Sequence, residues 1–309
     1  MKYSGIGGQA VIEGIMMMKG EDYAVAVRRP DKEIEVKKDT YQSITKKAKI
    51  LQLPFVRGVF RFADSMIIGM RSLSYSASFF EDDEDAEPGK FEQFLDRVFG
   101  EKLESAIMAA VLVISFILAI GIFMLLPLGI ANLFKGVITS DHLMAVLEGV
   151  IRIAIFIIYI KLVSRMEDIR RTFMYHGAEH KCINCVEHGH PLTVKYVRES
   201  SKEHKRCGTS FILIVMVISI LMFMVIRVDT IWMRILSRII LVPVIAGISY
   251  EVLQCAGRSN SKFMDLVSRP GMWMQGLTTK EPDDSMIEVA IAATEAVFDW
   301  REYLTENFP

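Results

Sequence analysis

Five of the six histidines and three of the four cysteines of this 309-residue chain lie between Tyr175 and Phe211. In order they are His176, His180, Cys182, Cys185, His188, His190, His204 and Cys207, with Glu179 directly before His180. On a helix, His176 and His180 share one face with their Cβ atoms about 5–6 Å apart, a separation at which two imidazoles hold one metal ion. Glu179 falls close to the same face. His-x-x-Glu-His is the inverzincin order, in which the glutamate activates a water on the metal. A third ligand must come from elsewhere, and Glu251 or Cys207 are the candidates. Zinc with three protein ligands lowers the pKa of the water in its fourth position to about 7 and polarises a carbonyl, so the pattern points to hydrolysis of an amide or ester.

The same stretch carries a second pattern. Cys182-x-x-Cys185 is followed, after eighteen residues, by His204-x-x-Cys207, the spacing of a structural zinc site in which two knuckles close one tetrahedron and leave no open position. Both patterns use nitrogen and sulfur ligands, which suit Zn²⁺, although other divalent metals tolerate several of the same groups. His188 and His190 read as surface residues, His142 as solvated and Cys255 as a small buried hydrophobe. Gly5-Ile6-Gly7-Gly8 lacks the Gly-Lys-Ser/Thr of a phosphate loop. A net charge of −1 offers no argument for nucleic acid, which is not expected as a partner.

The elements that must position these residues include membrane helices. Ala106–Leu126 and Gly208–Ile226 contain no charged residue, and each approaches the roughly 20 residues that cross hydrocarbon as a helix. Leu143–Val163 reads as a further span in which Glu148 and Arg152 pair four residues apart and Lys161 snorkels. Ile231–Tyr250 is the fourth, with Arg234 and Arg238 on one face. Charges inside spans raise a transport or channel reading as a further alternative. Lys90, Arg97, Lys102, Arg165, Arg170, Arg171, Lys202, Lys205, Arg206, Arg258, Lys262 and Arg269 fall on one side, against Lys135 and Arg227 on the other. Both termini and the His/Cys loop are therefore expected in the cytosol, where reducing conditions favour thiols or metal ligation over disulfides. No signal-peptide pattern opens the chain, so the first span is expected to direct insertion.

The fold class that results is an α-helical integral membrane protein with about four transmembrane helices, a small β-containing cytosolic N-terminal unit and a cytosolic His/Cys loop. The expected divisions are a β-rich unit over 1–50, an amphipathic helix over 51–80, an acidic linker over 81–90, a first transmembrane pair over 91–164, the His/Cys loop over 165–207, a second pair over 208–250 and a cytosolic C-terminal segment over 251–309. In the first, Ala10–Glu13, Tyr23–Val27 and Glu33–Lys37 read as strands, with Arg29-Pro30-Asp31-Lys32 as a turn and Glu13 facing water. From Leu53 to Leu73, Arg57, Arg61, Asp64 and Arg71 gather opposite Val56, Val59, Phe60, Ile67 and Met70, which suits a helix in the membrane interface or one packed on the β unit. Arg269–Met274 reads as a turn, and Ser285–Glu288 as a capping box opening an amphipathic helix.

Gly7-Gly8-Gln9-Ala10-Val11-Ile12-Glu13-Gly14, Tyr175-His176-Gly177-Ala178-Glu179-His180, Arg206-Cys207-Gly208-Thr209-Ser210-Phe211 and Glu281-Pro282-Asp283-Asp284 resemble the YqhQ-like family of bacterial multi-pass membrane proteins of unknown function, described as predicted metal-dependent enzymes. The resemblance spans nearly the whole chain. It implies metal binding at His176, Glu179 and His180, and Cys185, His204 and Cys207 match its signature positions whereas Cys182 does not. The expectation is thus a bacterial inner-membrane protein, in contact with the lipid bilayer, with a cytosolic zinc site. His176, His180, Cys185, His204, Cys207 and Glu251 are its candidate ligands and Glu179 the candidate general base. A metal-dependent hydrolase leads, with a non-enzymatic assembly or regulatory protein holding structural zinc as the alternative. The residues leave a homo-oligomer open and name no substrate.

Overall fold

The structure is a computed structural model that describes residues 2–80, 103–226, 230–259 and 261–309. The acidic stretch 81–90, Lys90, Arg97, Lys102 and Arg227, and the side chains of Arg234 and Arg258, lie outside the described residues. The chain forms two compact units, Met1–Phe80 with Ile160–Pro309, and Glu81–Tyr159.

In the larger unit, β1 (Ile6–Val11), β2 (Gly14–Lys19), β3 (Asp22–Arg28) and β4 (Ile34–Thr40) form an antiparallel meander in sequence order. β3 and β4 pair about the expected turn, with Arg28 opposite Ile34. β2 was not among the expected strands. Its Ile15-Met16-Met17 run is buried throughout because the sheet is covered on both faces, so the period-2 alternation that marks a half-buried strand is absent. Ile15, Met17 and Ala26 face one core with α5 (Glu167–Glu187) and α10 (Asp284–Val297). Met16, Val25 and Val27 face another with Ile68 of α1 (Val56–Ala77). β4 is the charged, exposed edge, which discourages pairing with another chain. Glu13 does not simply face water: at φ 48° in the β1–β2 turn, it takes a bidentate ion pair from Arg171 and a 3.3 Å hydrogen bond from the Tyr175 hydroxyl.

The smaller unit runs from α2 (Leu103–Ile120) through a π-turn at Gly121–Leu125 into α3 (Leu126–Asn132), then to α4 (Asp141–Val163), whose last turn joins the larger unit. A π-turn breaks the i→i−4 ladder locally. Here Arg152 donates Nε to the Phe123 carbonyl at 3.0 Å and Nη2 to Glu148 at 2.6 Å, the latter pair as expected from the spacing.

After α5 come α6 (Val194–Glu199), α7 (Gly208–Val225), α8 (Ile231–Arg258), α9 (Lys262–Thr278), α10 and α11 (Trp300–Asn307). Among the described residues, four helical segments are long and apolar enough to cross a membrane: Val113–Asn132, Asp141–Val163, Gly208–Val225 and Ile235–Gly257. The fourth continues two turns past the expected end. The Arg269–Met274 turn is instead the middle of α9, which runs through Pro270 and leaves Phe263, Leu266 and Trp273 exposed at helical spacing. The cap of α10 is Asp283, accepting from the Met286 N–H at 3.0 Å, two residues before the expected Ser285. Cys255 is exposed, not buried.

Candidate metal centre

The connection between the second and third apolar helices is built on α5, a 21-residue helix buried along its second half. His176 and His180 lie one turn apart on it, with ring centroids 4.4 Å apart. Cys207 caps the N-terminus of α7, its sulfur accepting from the Thr209 N–H at 3.4 Å and lying 3.3 Å from His176 Nε2. One donor atom from each of His176, His180 and Cys207 falls within 4.8 Å of the others. Among the described residues this is the one cluster of histidine, cysteine or acidic side chains with metal-binding geometry.

Both imidazoles are oriented by backbone carbonyls. His176 Nδ1 lies 3.0 Å from the Thr278 oxygen and His180 Nδ1 2.7 Å from the Lys202 oxygen. A carbonyl only accepts, so each Nδ1 carries the proton and each Nε2 presents its lone pair. This is the outer-shell arrangement that fixes the tautomer of metal-ligating histidines.

Those carbonyls are themselves held. Thr278 ends α9, and the chain beyond it crosses α5 with the Lys280 N–H bonded to the Phe173 carbonyl at 2.9 Å. Only glycine fits at 177, since a Cβ there would overlap the Lys280 carbonyl oxygen. On the other side Lys181 Nζ binds the Arg198 and Ser200 carbonyls, while the Asn184 amide binds those of Ser201 and Glu203. These bonds lay the chain that carries Lys202 and Cys207 along the helix. Gln275, fully buried, brackets His204 through its N–H and carbonyl, both at 2.8 Å, and reaches Ser210 Oγ at 2.9 Å. Glu281 pairs with Lys181 and Lys202. Gly177, Lys181, Asn184, Gln275 and Thr278 were not singled out from sequence. Spacing reveals none of their partners, although Lys181 and Asn184 were visible as polar residues one turn apart beside the histidines.

The other candidate ligands lie elsewhere. Cys185 is in the apolar core, its thiol facing the Pro191 carbonyl at 3.4 Å and pushed up to about 11 by burial. Cys182 is equally buried, and burial followed by the nearby Cys185 raises its thiol well above the usual range. The Cys182, Cys185, His204, Cys207 tetrahedron is therefore not assembled among the described residues. His204 sits 5.8 Å from His180 ring to ring, but its Nε2 turns to Glu187 at 3.5 Å and its Nδ1 accepts from the Arg206 N–H. Burial, with Arg206 and His180 nearby, holds it down at about 4. Glu251 binds Arg57 through both oxygens, at 2.7 and 2.5 Å.

Glu179 is outside the three-atom cluster. It is buried beneath β1, where a Cβ on Gly8 would meet its Cγ at 3.0 Å, and one of its oxygens has no hydrogen-bond partner. Burial pushes its carboxyl up to about 7, against the opposing pull of His176 and the Gly8 N–H.

The chain matches the family described as "Protein of unknown function (DUF1385)" over residues 53–300, which contain every residue of this site. It is 34% identical to "Uncharacterized protein YqhQ" of Bacillus subtilis (strain 168) over 286 residues, 92% of this chain and 89% of that protein. No solved structure matches it.

Proposed function

This chain belongs to the DUF1385 family of proteins of unknown function, and from its own geometry we propose an integral membrane protein that holds zinc on His176, His180 and Cys207 at the cytosolic surface and hydrolyses an amide or ester there. The single observation that carries this reading is the convergence of two carbonyl-oriented imidazoles and one sulfur within 4.8 Å. Two nitrogens and a sulfur suit zinc, and three protein ligands correspond to catalytic sites that keep a fourth position open, unlike four-ligand structural ones. Bound there, zinc supplies Lewis acidity and lowers the pKa of water in that position to about 7. Glu179, one residue from His180 with an unpartnered oxygen, is the proton acceptor in this reading.

The four apolar helices support insertion in the bilayer, and the distribution of basic residues supports cytosolic termini and a cytosolic site. A bacterial relative supports the cytoplasmic membrane as the location. Transport draws less support, because the buried Glu148 and Arg152 satisfy each other.

Metal stoichiometry of the purified full chain, prepared without a histidine tag or chelator, tests the ligand set. His176→Ala, His180→Ala and Cys207→Ser lose the metal, whereas Glu179→Gln, Cys185→Ser and Glu251→Gln retain it. Retention in the first three, or loss in Cys185→Ser with its fold intact, rejects the assignment.

A further inference from the structure

α1 does not lie along the surface of the sheet for its whole length. Its C-terminal half enters the sheet core at Ile68, while its N-terminal half packs on α8. The crossing is made by glycines: a Cβ on Gly58 would lie 2.7 Å from Tyr250 Cβ, and one on Gly247 would overlap the Phe55 carbonyl oxygen. Small residues at a crossing let helix backbones approach closely, as they do between membrane helices. Gly247 is ten residues before Gly257, the end of the apolar segment Ile235–Gly257, or about 15 Å along the helix. That is about half the thickness of bilayer hydrocarbon.

A second contact, nearer the boundary, agrees with the first. Phe62 of α1 packs on Phe211, ring centroids 5.6 Å apart, three residues inside the Gly208–Val225 segment and so about 5 Å deep. Phe55 and Phe62 are seven residues apart, about 10 Å on a helix, which is the difference between the two depths. Continued upward, the same slope brings Asp64 to the hydrocarbon boundary, where it accepts from Tyr41, Ser43 and the Ile44 N–H.

From these contacts we infer that residues 44–62 are a re-entrant hairpin whose tip, Ile50–Val56, sits in the hydrocarbon of the bilayer crossed by α7 and α8. This rests on the membrane reading of those two helices. Ile50, Leu53 and Phe55 are 63%, 52% and 55% exposed, as expected of side chains whose neighbour is lipid. Non-helical backbone survives at that depth only when its polar groups are satisfied. The N–H groups of Leu51, Leu53, Val56 and Arg57 bond the carbonyls of Ala48, Ile50, Pro54 and Leu53 within the hairpin, and that of Phe55 bonds Glu251. Glu251 also takes the Arg57 guanidinium, so the charge near the tip is paired. On the descending limb Lys46 pairs with Glu21 of the sheet turn. Lys47, Lys49 and Arg61 are exposed, with stems long enough to snorkel toward headgroups.

The test uses spin labels on the full chain in vesicles of phosphatidylcholine and phosphatidylglycerol. Single cysteines replace Leu53, Val217 or Thr40 in a Cys255→Ser background, the remaining three cysteines being buried. Collisions with oxygen and with a water-soluble nickel chelate are compared. A label at Leu53 should match Val217, near the middle of α7, and exceed Thr40 several-fold in its preference for oxygen. Chelate access at Leu53 equal to Thr40, with Val217 shielded, overturns the hairpin alone. Chelate access at Val217 overturns the spanning helices and the hairpin with them.

Discussion

Helix α5 buries two carboxylates two turns apart, and their surroundings are opposite. Glu187 accepts from the Ser4 N–H and hydroxyl at 2.9 and 2.8 Å, from Arg206 and from His204. Burial alone would raise its pKa, but the His204 and Arg206 bonds outweigh it and hold the carboxyl at about 2. Glu179 is also buried, but has far fewer partners and sits at about 7. The lesson is that burial does not assign a role; the number of donors does. Glu187 fastens the N-terminus and the Arg206 segment to α5, whereas Glu179, next to the proposed metal ligand His180, keeps an oxygen without a hydrogen-bond partner.

The largest effect should come from breaking the satisfied end. Glu187→Gln leaves the Arg206 guanidinium buried without its counter-charge and should destabilise the protein by about 3–5 kcal/mol in denaturant melts. Adding Arg206→Met should recover most of that loss, since both charges are then removed. Acid should act on the same end. A carboxyl with a folded pKa of about 2 against 4.5 stabilises above pH 4.5 by on the order of 3 kcal/mol, and this is lost as pH falls through 2. His204, held at about 4 against 6.5, adds stability that is complete above pH 6.5 and declines toward pH 4. Between pH 6.5 and 4.5 this loss runs against the opposite contribution of Glu179, so melting temperature should fall mainly below pH 4.5, and Glu187→Gln should flatten the limb between pH 4.5 and 2.

Glu179 should behave with the opposite sign. A raised carboxyl favours the fold below pH 4.5 and opposes it as pH rises through 7, a change on the order of 3 kcal/mol. Glu179→Gln should thus gain on the parent protein across that interval and keep its metal, with hydrolysis lost. A parallel pH profile for the two proteins would remove the contrast between the carboxylates. Gly177→Ala should destabilise by about 1–3 kcal/mol or more, because its Cβ forces the Lys280 backbone carbonyl to shift. It should still lower metal affinity about 10–100-fold by displacing the Thr278 carbonyl from His176, as isothermal titration would show.

How much of this was legible depended on whether the signal was local. The apolar runs, the turn between β3 and β4, the Glu148–Arg152 pair and the shared face of His176 and His180 are all set within a few residues, and the structure has each of them. β2 was hidden because two covered faces erase alternation, and α9 because Pro270 reads as a stop. In the site, spacing could bring Cys185 and Cys207 equally close to the histidines. Only packing decides that Cys185 turns into the core while Cys207 caps α7. Glu251 finds Arg57 across 194 positions, and His176 finds Thr278 across 102. No periodicity carries such distances.

X-ray absorption at the zinc edge, on untagged full-length protein, tests the metal centre most directly. One zinc per chain with two imidazole nitrogens, one sulfur and one light oxygen is the predicted shell. A closed shell with two or more sulfurs would contradict an open site and return Cys182 or Cys185 to the ligand set, and a protein that binds no metal would contradict the centre altogether.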